Sequence, residues 1–143
     1  MKEWIVAVFG VAGAALTAAL GGWDAALSTL CIFMLADYIT GIIVAAVFHK
    51  SSKTTTGSLK SWEGFKGLCR KCVVILFVLI ANRLDIVLGV DYIRDGVIYG
   101  FMANEGLSLI ENAGLMGVPL PDVVVKAVDV LSKKADATPE KKD

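Results

Sequence analysis

The feature that most constrains this fold is an apolar segment of 24 residues, Ala25 to Phe48, in which Asp37 is the one charged residue. A helix rises about 1.5 Å per residue, so this segment would form a helix roughly 36 Å long. That length exceeds the hydrocarbon thickness of a bilayer, which is about 30 Å. A helix that is apolar on every face needs lipid or other helices around it. The segment therefore predicts a membrane-spanning helix.

Another apolar segment, Trp4 to Leu20, precedes it and is rich in glycine and alanine. Small residues allow helices to approach each other closely in lipid. The residues between the two segments, Gly21 to Asp24, predict a tight turn. The first segment also has some features of a signal peptide. The positive charge before this segment is weak, because Glu3 offsets Lys2. A second apolar segment also follows at once. The sequence therefore favours a retained membrane span over a cleaved signal peptide.

Charge is distributed unevenly along a chain of zero formal net charge and 56% apolar residues. The loop from His49 to Lys71 contains six basic residues and one acidic residue, Glu63. Short basic loops stay on the cytoplasmic side of a membrane, so we expect this loop and the N-terminus, two crossings away, to be cytoplasmic. Lysines near the C-terminus favour a cytoplasmic C-terminus as well. Basic residues do not alternate with aromatic ones, which argues against nucleic acid as a partner.

Two weaker apolar segments follow, at residues 73–90 and 96–118. Arg83 and Asp85 would cost about as much at mid-membrane as the apolar residues of the third segment gain, roughly 6 kcal/mol. The fourth segment is more polar and needs partner helices, a water-filled lumen or a surface location. We expect four spans, with three as the alternative.

These segments predict an all-α fold, an integral membrane helical bundle over residues 1–134. Short amphipathic helices are expected at the end of the basic cytoplasmic loop 49–71, where apolar residues recur at helical spacing, and over residues 123–134. A charged, flexible tail is expected over residues 135–143.

The chain has no recognisable catalytic constellation, metal-ligand cluster or cofactor motif, so we expect no enzymatic activity, metal or cofactor. Three cysteines provide neither a disulfide framework nor a zinc site. Polar residues inside apolar segments are the functional candidates, because such residues line pores or hold helices together. The candidates for a pore or an oligomer interface are Asp37, Thr40, Gly41, Asn82, Arg83, Asp85, Asn104, Glu105, Ser108, Glu111 and Asn112.

The fourth segment contains a pattern of polar residues. Asn104, Ser108 and Glu111 have the i, i+4, i+7 spacing of one helix face, and Glu105 and Asn112 widen it. We expect this polar stripe to face other helices within one protomer and a shared lumen in an oligomer.

Arg83 carries a separate expectation. If the third segment lies in the membrane, Arg83 requires a partner of opposite charge, because an unpaired buried charge is strongly destabilising. Glu105 and Asp37 are the candidate partners. A position lining a pore is the alternative for Arg83 and Asp85.

Several short motifs, in their order and spacing, resemble those of the bacteriophage holin family, which includes toxin-secretion/phage-lysis holins of Gram-positive phages and prophages. The resemblance covers about Ala25 to Leu131. Its motifs are D-Y-I-T-G at 37–41, the connection 58–71 ending in R-K, N-R-L-D at 82–85, N-E-G-L-S-L-I-E-N-A at 104–113, and G-V-P-L-P at 117–121.

The resemblance implies a multi-pass protein of the host's cytoplasmic membrane. Such a holin oligomerises and opens a lesion that releases endolysin, or a toxin, and permits host cell lysis. The implied partners are the lipid bilayer, further copies of the chain, endolysin without a required direct contact, and a possible antiholin. Two other interpretations stay open: a small ion-coupled transporter with Asp37 or Glu105 as its proton-binding carboxylate, and an antiholin-type regulator.

Overall fold

The computed structural model describes residues 1–137. Five α-helices make up most of this part of the chain, which contains no strand, so the predicted all-α class is confirmed. The helices are α1 (Lys2–Ala19), α2 (Ala25–Ala46), α3 (Ser61–Leu88), α4 (Ile93–Met116) and α5 (Asp122–Asp136).

Two of the described helices, α1 and α2, are long and apolar enough to cross a membrane by length and composition. The predicted third and fourth spans correspond to α3, with 28 residues, and α4, with 24 residues. Both are long enough to span a bilayer. Both helices contain more charged residues than α1 and α2. Whether α3 and α4 also cross the membrane therefore depends on whether these charges are paired or hydrated.

The N-terminal half of α3 differs from the prediction. The sequence predicts a short amphipathic helix at the end of the basic loop, leading into a span that begins near Val73. The structure instead has one continuous helix from Ser61 to Leu88. The junction between the two predicted elements, Leu68 to Val73, contains neither glycine nor proline to interrupt a helix. Arg70 and Lys71 therefore project from a helix rather than from a loop.

The predicted amphipathic helix over 123–134 is observed as α5, which also includes the first two residues of the predicted tail. Residues 138–143 of that tail lie outside the described part of the chain. α5 runs antiparallel to α4. Gly106 of α4 lies against Val128, and Gly96 lies against Ala135. The end of α5 is therefore beside the beginning of α4.

The core forms where α2, α3 and α4 meet. Leu27 and Leu30 of α2, Val78 of α3 and Ile98 of α4 are fully buried. α4 is the central helix, since it packs against α2, α3 and α5. A Cβ atom at Gly106 would lie only 2.8 Å from a Val128 methyl group, so glycine at this position permits the close contact of α4 with α5.

The first helix contributes no buried residue to this core. Its large apolar side chains Trp4, Phe9 and Val11 are each more than 70% exposed. A helix that exposes apolar residues on every face is stable in lipid or against other helices, but not in water. The position of α1 therefore supports a membrane environment for the protein.

Arg94 joins the two turns at one end of the bundle. Its Nε donates to the carbonyl of Leu20 at 2.5 Å, Nη2 donates to the carbonyl of Gly22 at 2.9 Å, and Nη1 lies 2.7 Å from a carboxylate oxygen of Asp24. The hydrogen bond from Arg94 holds the pKa of Asp24 below its usual value. We call Arg94 with Leu20, Gly22 and Asp24 the Arg94 clamp.

Further contacts fix the same end of the bundle. Asp85 accepts hydrogen bonds of 2.9 Å from the first two backbone N–H groups of α4, which have no partner within that helix. Asn82 donates to the carbonyl of Ala19 at 3.0 Å. Gly21 has a φ of +84°, and a Cβ atom there would lie 2.5 Å from the Asn82 side chain, so this turn requires glycine. The α1–α2 turn is thus attached to the α3–α4 turn.

Replacing Arg94 should destabilise the bundle. In Arg94→Leu the two carbonyl groups of the clamp lose their donor, and we expect a loss of at least about 2 kcal/mol in the free energy of unfolding. Thermal unfolding of the detergent-purified protein would measure this loss. Arg83→Leu is the matched control, because Arg83 is exposed on the neighbouring α3. Equal destabilisation by the two variants would contradict the role assigned to the clamp.

Candidate functional site

Three charged side chains from three helices meet inside the bundle. Nζ of Lys71 on α3 lies 2.8 Å from a carboxylate oxygen of Asp37 on α2 and 2.6 Å from one of Glu105 on α4. Exposure of the three side chains is only 14%, 8% and 9%. Charges removed from water to this degree require partners, and here one ammonium group serves two carboxylates. We call these three residues the Lys71 cluster.

Two uncharged residues extend the Lys71 cluster. Nδ2 of Asn112 on α4 donates to the hydroxyl of Thr40 at 2.8 Å and lies 3.2 Å from Oδ1 of Asp37. The Thr40 hydroxyl in turn donates to the Asp37 carbonyl at 3.1 Å. Within residues 1–137, no buried side-chain nitrogen or oxygen lacks a hydrogen-bond partner. The polar interior of the protomer is therefore fully satisfied.

A cavity of about 300 Å³ opens beside the Lys71 cluster, between α2, α3, α4 and the loop that precedes α3. Gly41, Asn104 and Ser108 line it, together with members of the cluster. Seven of the predicted site residues thus lie together around this cavity. They are Asp37, Thr40, Gly41, Asn104, Glu105, Ser108 and Asn112.

The other four predicted residues lie elsewhere. Asn82 and Asp85 belong to the opposite end of the bundle, beside the Arg94 clamp. Glu111 and Arg83 are exposed. The expected pairing of Arg83 with a carboxylate of α2 or α4 is wrong, because both candidate carboxylates contact Lys71. Arg83 lies twelve residues beyond Lys71 on α3, which is about 18 Å along the helix.

The predicted polar stripe of α4 is divided between two faces. Glu105 is buried, and Ser108 and Asn112 are half-buried toward α2 and α3, as expected for one protomer. Asn104 and Glu111 are exposed, and Asn104 lies at the edge of the cavity. At about 100° per residue, Asn104 and Glu111 are about 20° apart around α4, and the buried Glu105 lies about 100° from Asn104.

Sequence reasoning missed Lys71 and Arg94. Lys71 is predicted to belong to the basic loop, because it is the last charge before an apolar segment, and the sequence predicts no role for Arg94. The signal that could have identified Lys71 is the continuity of α3. A helix extending back to Ser61 places Lys71 on a packed helix beside the two buried carboxylates.

The contacts of this site are ion pairs and hydrogen bonds between helices. Residues 1–137 contain no group of His, Cys, Asp and Glu side chains able to hold a metal ion. Cys69 and Cys72 are exposed free thiols. What the Lys71 cluster can do is make the contact of α2 with α4 depend on α3, because moving α3 away would leave two carboxylates without their cation.

Removing the lysine should therefore weaken the bundle. Lys71→Met leaves Asp37 and Glu105 buried without a cation, and we expect a loss of about 3–5 kcal/mol. Accumulation in membranes and thermal unfolding in detergent would report it. Adding Asp37→Asn and Glu105→Gln should restore part of the stability, because no unpaired charge remains. Lys66→Met is the control, since Lys66 pairs only with Glu63 near the surface. Failure of the triple variant to recover would contradict the pairing.

Comparison with known proteins places this geometry in context. Residues 14–133 match the bacteriophage holin family. A probable holin of Bacillus phage phi105 is 30% identical over 118 residues, which cover 82% of each chain. An uncharacterised protein of Listeria monocytogenes is 33% identical over 124 residues, covering 86% of this chain and 83% of the relative.

A further relative is an uncharacterised 14.9 kDa protein of Clostridium perfringens, 34% identical over 124 residues that cover 85% of this chain and 88% of the relative. No solved structure matches the chain. The family match extends from α1 into α5 and includes the Lys71 cluster, the cavity and the Arg94 clamp. The chain therefore belongs to the bacteriophage holin family, a family of non-enzymatic proteins that permeabilise membranes.

Proposed function

We propose that the protein is a holin that oligomerises in the bacterial cytoplasmic membrane and opens a lesion through which endolysin, or a toxin, leaves the cytoplasm. The observation that carries this proposal is the family match over residues 14–133, together with the similarity to a probable phage holin. Two physical features support it: α1 exposes apolar residues on all its faces, and polar residues are exposed on α4.

The proposed topology has four spans, α1 to α4, with the N-terminus and the basic loop in the cytoplasm. The distribution of lysine and arginine supports this orientation. The Lys71 cluster lies toward the basic-loop end of the bundle, and the Arg94 clamp toward the other end. Glu105 and Asn112 make α4 too polar to span alone, but within the bundle their polar groups are covered by α2 and α3.

The position of α5 on α4 does not fit this topology. Packed on α4, its end lies beside the α3–α4 turn, which this topology places outside the cell. Its exposed surface includes Lys126, Asp129 and Lys133, and lipid would be a poor environment for these charges. We therefore propose that α5 leaves α4 when α4 crosses the membrane and that it then lies on the cytoplasmic surface, with the C-terminus in the cytoplasm.

Departure of α5 would prepare α4 for contacts with other copies. It would uncover Gly96, Gly100 and Gly106, small residues of the kind that allow helices to approach closely in lipid. Asn104 and Glu111 are exposed seven residues apart, on one face of α4. In an oligomer this face can border a water-filled lumen, where its polar groups are solvated. The lesion is thus proposed to form from α4 as copies accumulate.

The topology can be tested by cysteine labelling in a variant whose three native cysteines are replaced by serine. We expect Ser52→Cys and Lys133→Cys to resist an impermeant thiol reagent added to intact cells, and Asp91→Cys to react. Labelling of opened cells controls for buried positions. Reaction of Ser52→Cys from outside would overturn the orientation. Reaction of Lys133→Cys together with Asp91→Cys would overturn the cytoplasmic placement of α5, since it would mean either that α4 does not cross the membrane or that α5 crosses it with α4.

The lytic role can be tested by inducing the gene in bacteria with and without a co-expressed endolysin. We expect lysis only with endolysin. Asn104→Leu combined with Glu111→Leu should remain in the membrane at normal abundance but abolish lysis, because the exposed face of α4 becomes apolar and no longer suits a lumen. The readout is culture turbidity, with membrane protein quantified in parallel.

Leu107→Met is the matched control, because Leu107 lies on the same exposed face and stays apolar. This variant should lyse cells as the native chain does. Full lysis by the double leucine variant would show that this face does not line the lesion. Delayed lysis when the native chain is co-expressed with another holin, without lysis by itself, would instead identify an antiholin.

A further inference from the structure

The cavity beside the Lys71 cluster has basic residues at its rim that take no part in the ion pairs of that cluster. Its rim carries three basic residues, Lys53, Lys60 and Arg70. None of them forms an ion pair with a described residue. The carboxylates at the cavity are already engaged, with Asp37 and Glu105 on Lys71.

The remaining carboxylate of the lining, Glu63, pairs with Lys66 at 2.9 Å. The cavity mouth therefore has an excess of positive charge provided by two loop lysines and one arginine of α3. Ser51 of the loop also lines it, and its hydroxyl can donate a hydrogen bond, whereas the hydroxyl of Thr54 already donates to the Ser58 carbonyl. Positive charge with hydrogen-bond donors is the chemistry that binds a phosphate group.

Part of the cavity wall is apolar. Ile42 of α2, Val74 of α3, and Phe101 and Leu115 of α4 line it. Exposed apolar residues continue from this wall along α2, including Ile43 and Val47. A free inorganic anion gains nothing from contact with apolar side chains. A molecule with a charged head and hydrocarbon chains can contact both the basic rim and the apolar residues.

We propose that this cavity binds the phosphate headgroup of an anionic glycerophospholipid, with the acyl chains remaining in the bilayer along α2. A volume of about 300 Å³ suits a headgroup but not the chains. Basic pockets between spans on the cytoplasmic side are suited to anionic lipid headgroups. The inference rests on the proposed orientation of the basic loop, and it adds a ligand to the proposed function.

Bound there, the headgroup phosphate would connect the loop before α3 to α3 itself through Lys53, Lys60 and Arg70. The closed bundle would then be more stable in a membrane rich in anionic lipid. Each basic group removed should lower lipid affinity about fivefold, since a basic residue near a lipid surface is worth about that factor. Loss of all three should lower it about 100-fold.

The test uses the full chain purified in detergent and titrated with phosphatidylglycerol, phosphatidylcholine or inorganic phosphate. Retention of lipid is followed by native mass spectrometry, and the unfolding temperature is followed in parallel. We expect phosphatidylglycerol to be retained and to raise the unfolding temperature, while phosphatidylcholine and inorganic phosphate do neither. The combined variant Lys53→Gln, Lys60→Gln and Arg70→Gln should lose both effects.

The matched control removes three positive charges elsewhere, by Lys2→Gln, Lys126→Gln and Lys133→Gln, and should bind as the native chain does. Equal retention of the two lipids, or equal loss of binding in the control, would overturn the site. Stabilisation by inorganic phosphate equal to that by phosphatidylglycerol would overturn the lipid assignment. Because binding is measured without lysis, a chain that binds this lipid but does not lyse cells would refute the holin proposal and leave this site intact.

Discussion

One ammonium group, Nζ of Lys71, holds two carboxylates that come from different helices. Removing Asp37 and Glu105 from water is unfavourable, and their attraction to Lys71 compensates only while all three side chains remain close. The relative positions of α2, α3 and α4 are therefore coupled through this one contact. Asn112 and Thr40 complete the hydrogen bonding around Asp37, so the apolar core can close over a charged centre without an unpaired group.

The Lys71 cluster and the Arg94 clamp use their cations differently. Arg94 presents a rigid planar fork that contacts two carbonyls and a carboxylate in the turns. Lys71 is a compact charge on a flexible chain and is held by the two carboxylates alone. Asp24 and Asp37 are about 20 Å apart along α2, so the two groups act at different depths.

Sequence reasoning could predict the helices and the buried carboxylates, because long apolar segments and isolated charges are local patterns. It could not predict which basic residue pairs with these carboxylates, because pairing depends on how deep each side chain lies in the bundle. Arg83 lies five residues before the end of α3 and Glu105 twelve residues after the start of α4, so in an antiparallel pair they differ in depth by about 10 Å. The antiparallel packing of α5 depends on contacts between distant segments, which no local pattern specifies.

The central position of α4 follows from its composition. Alone in lipid, a helix with Glu105, Glu111 and two asparagines would be unfavourable, since each unsatisfied polar group costs several kcal/mol in hydrocarbon. α2 and α3 satisfy one face of α4 and α5 covers its glycines, while Asn104 and Glu111 stay exposed. In a single protomer Asn104 lies at the edge of the cavity, and both side chains remain exposed. If α4 crosses the membrane as proposed, contact with other copies, or with water that those copies enclose, would satisfy them, and this is the physical basis of the proposed association of chains.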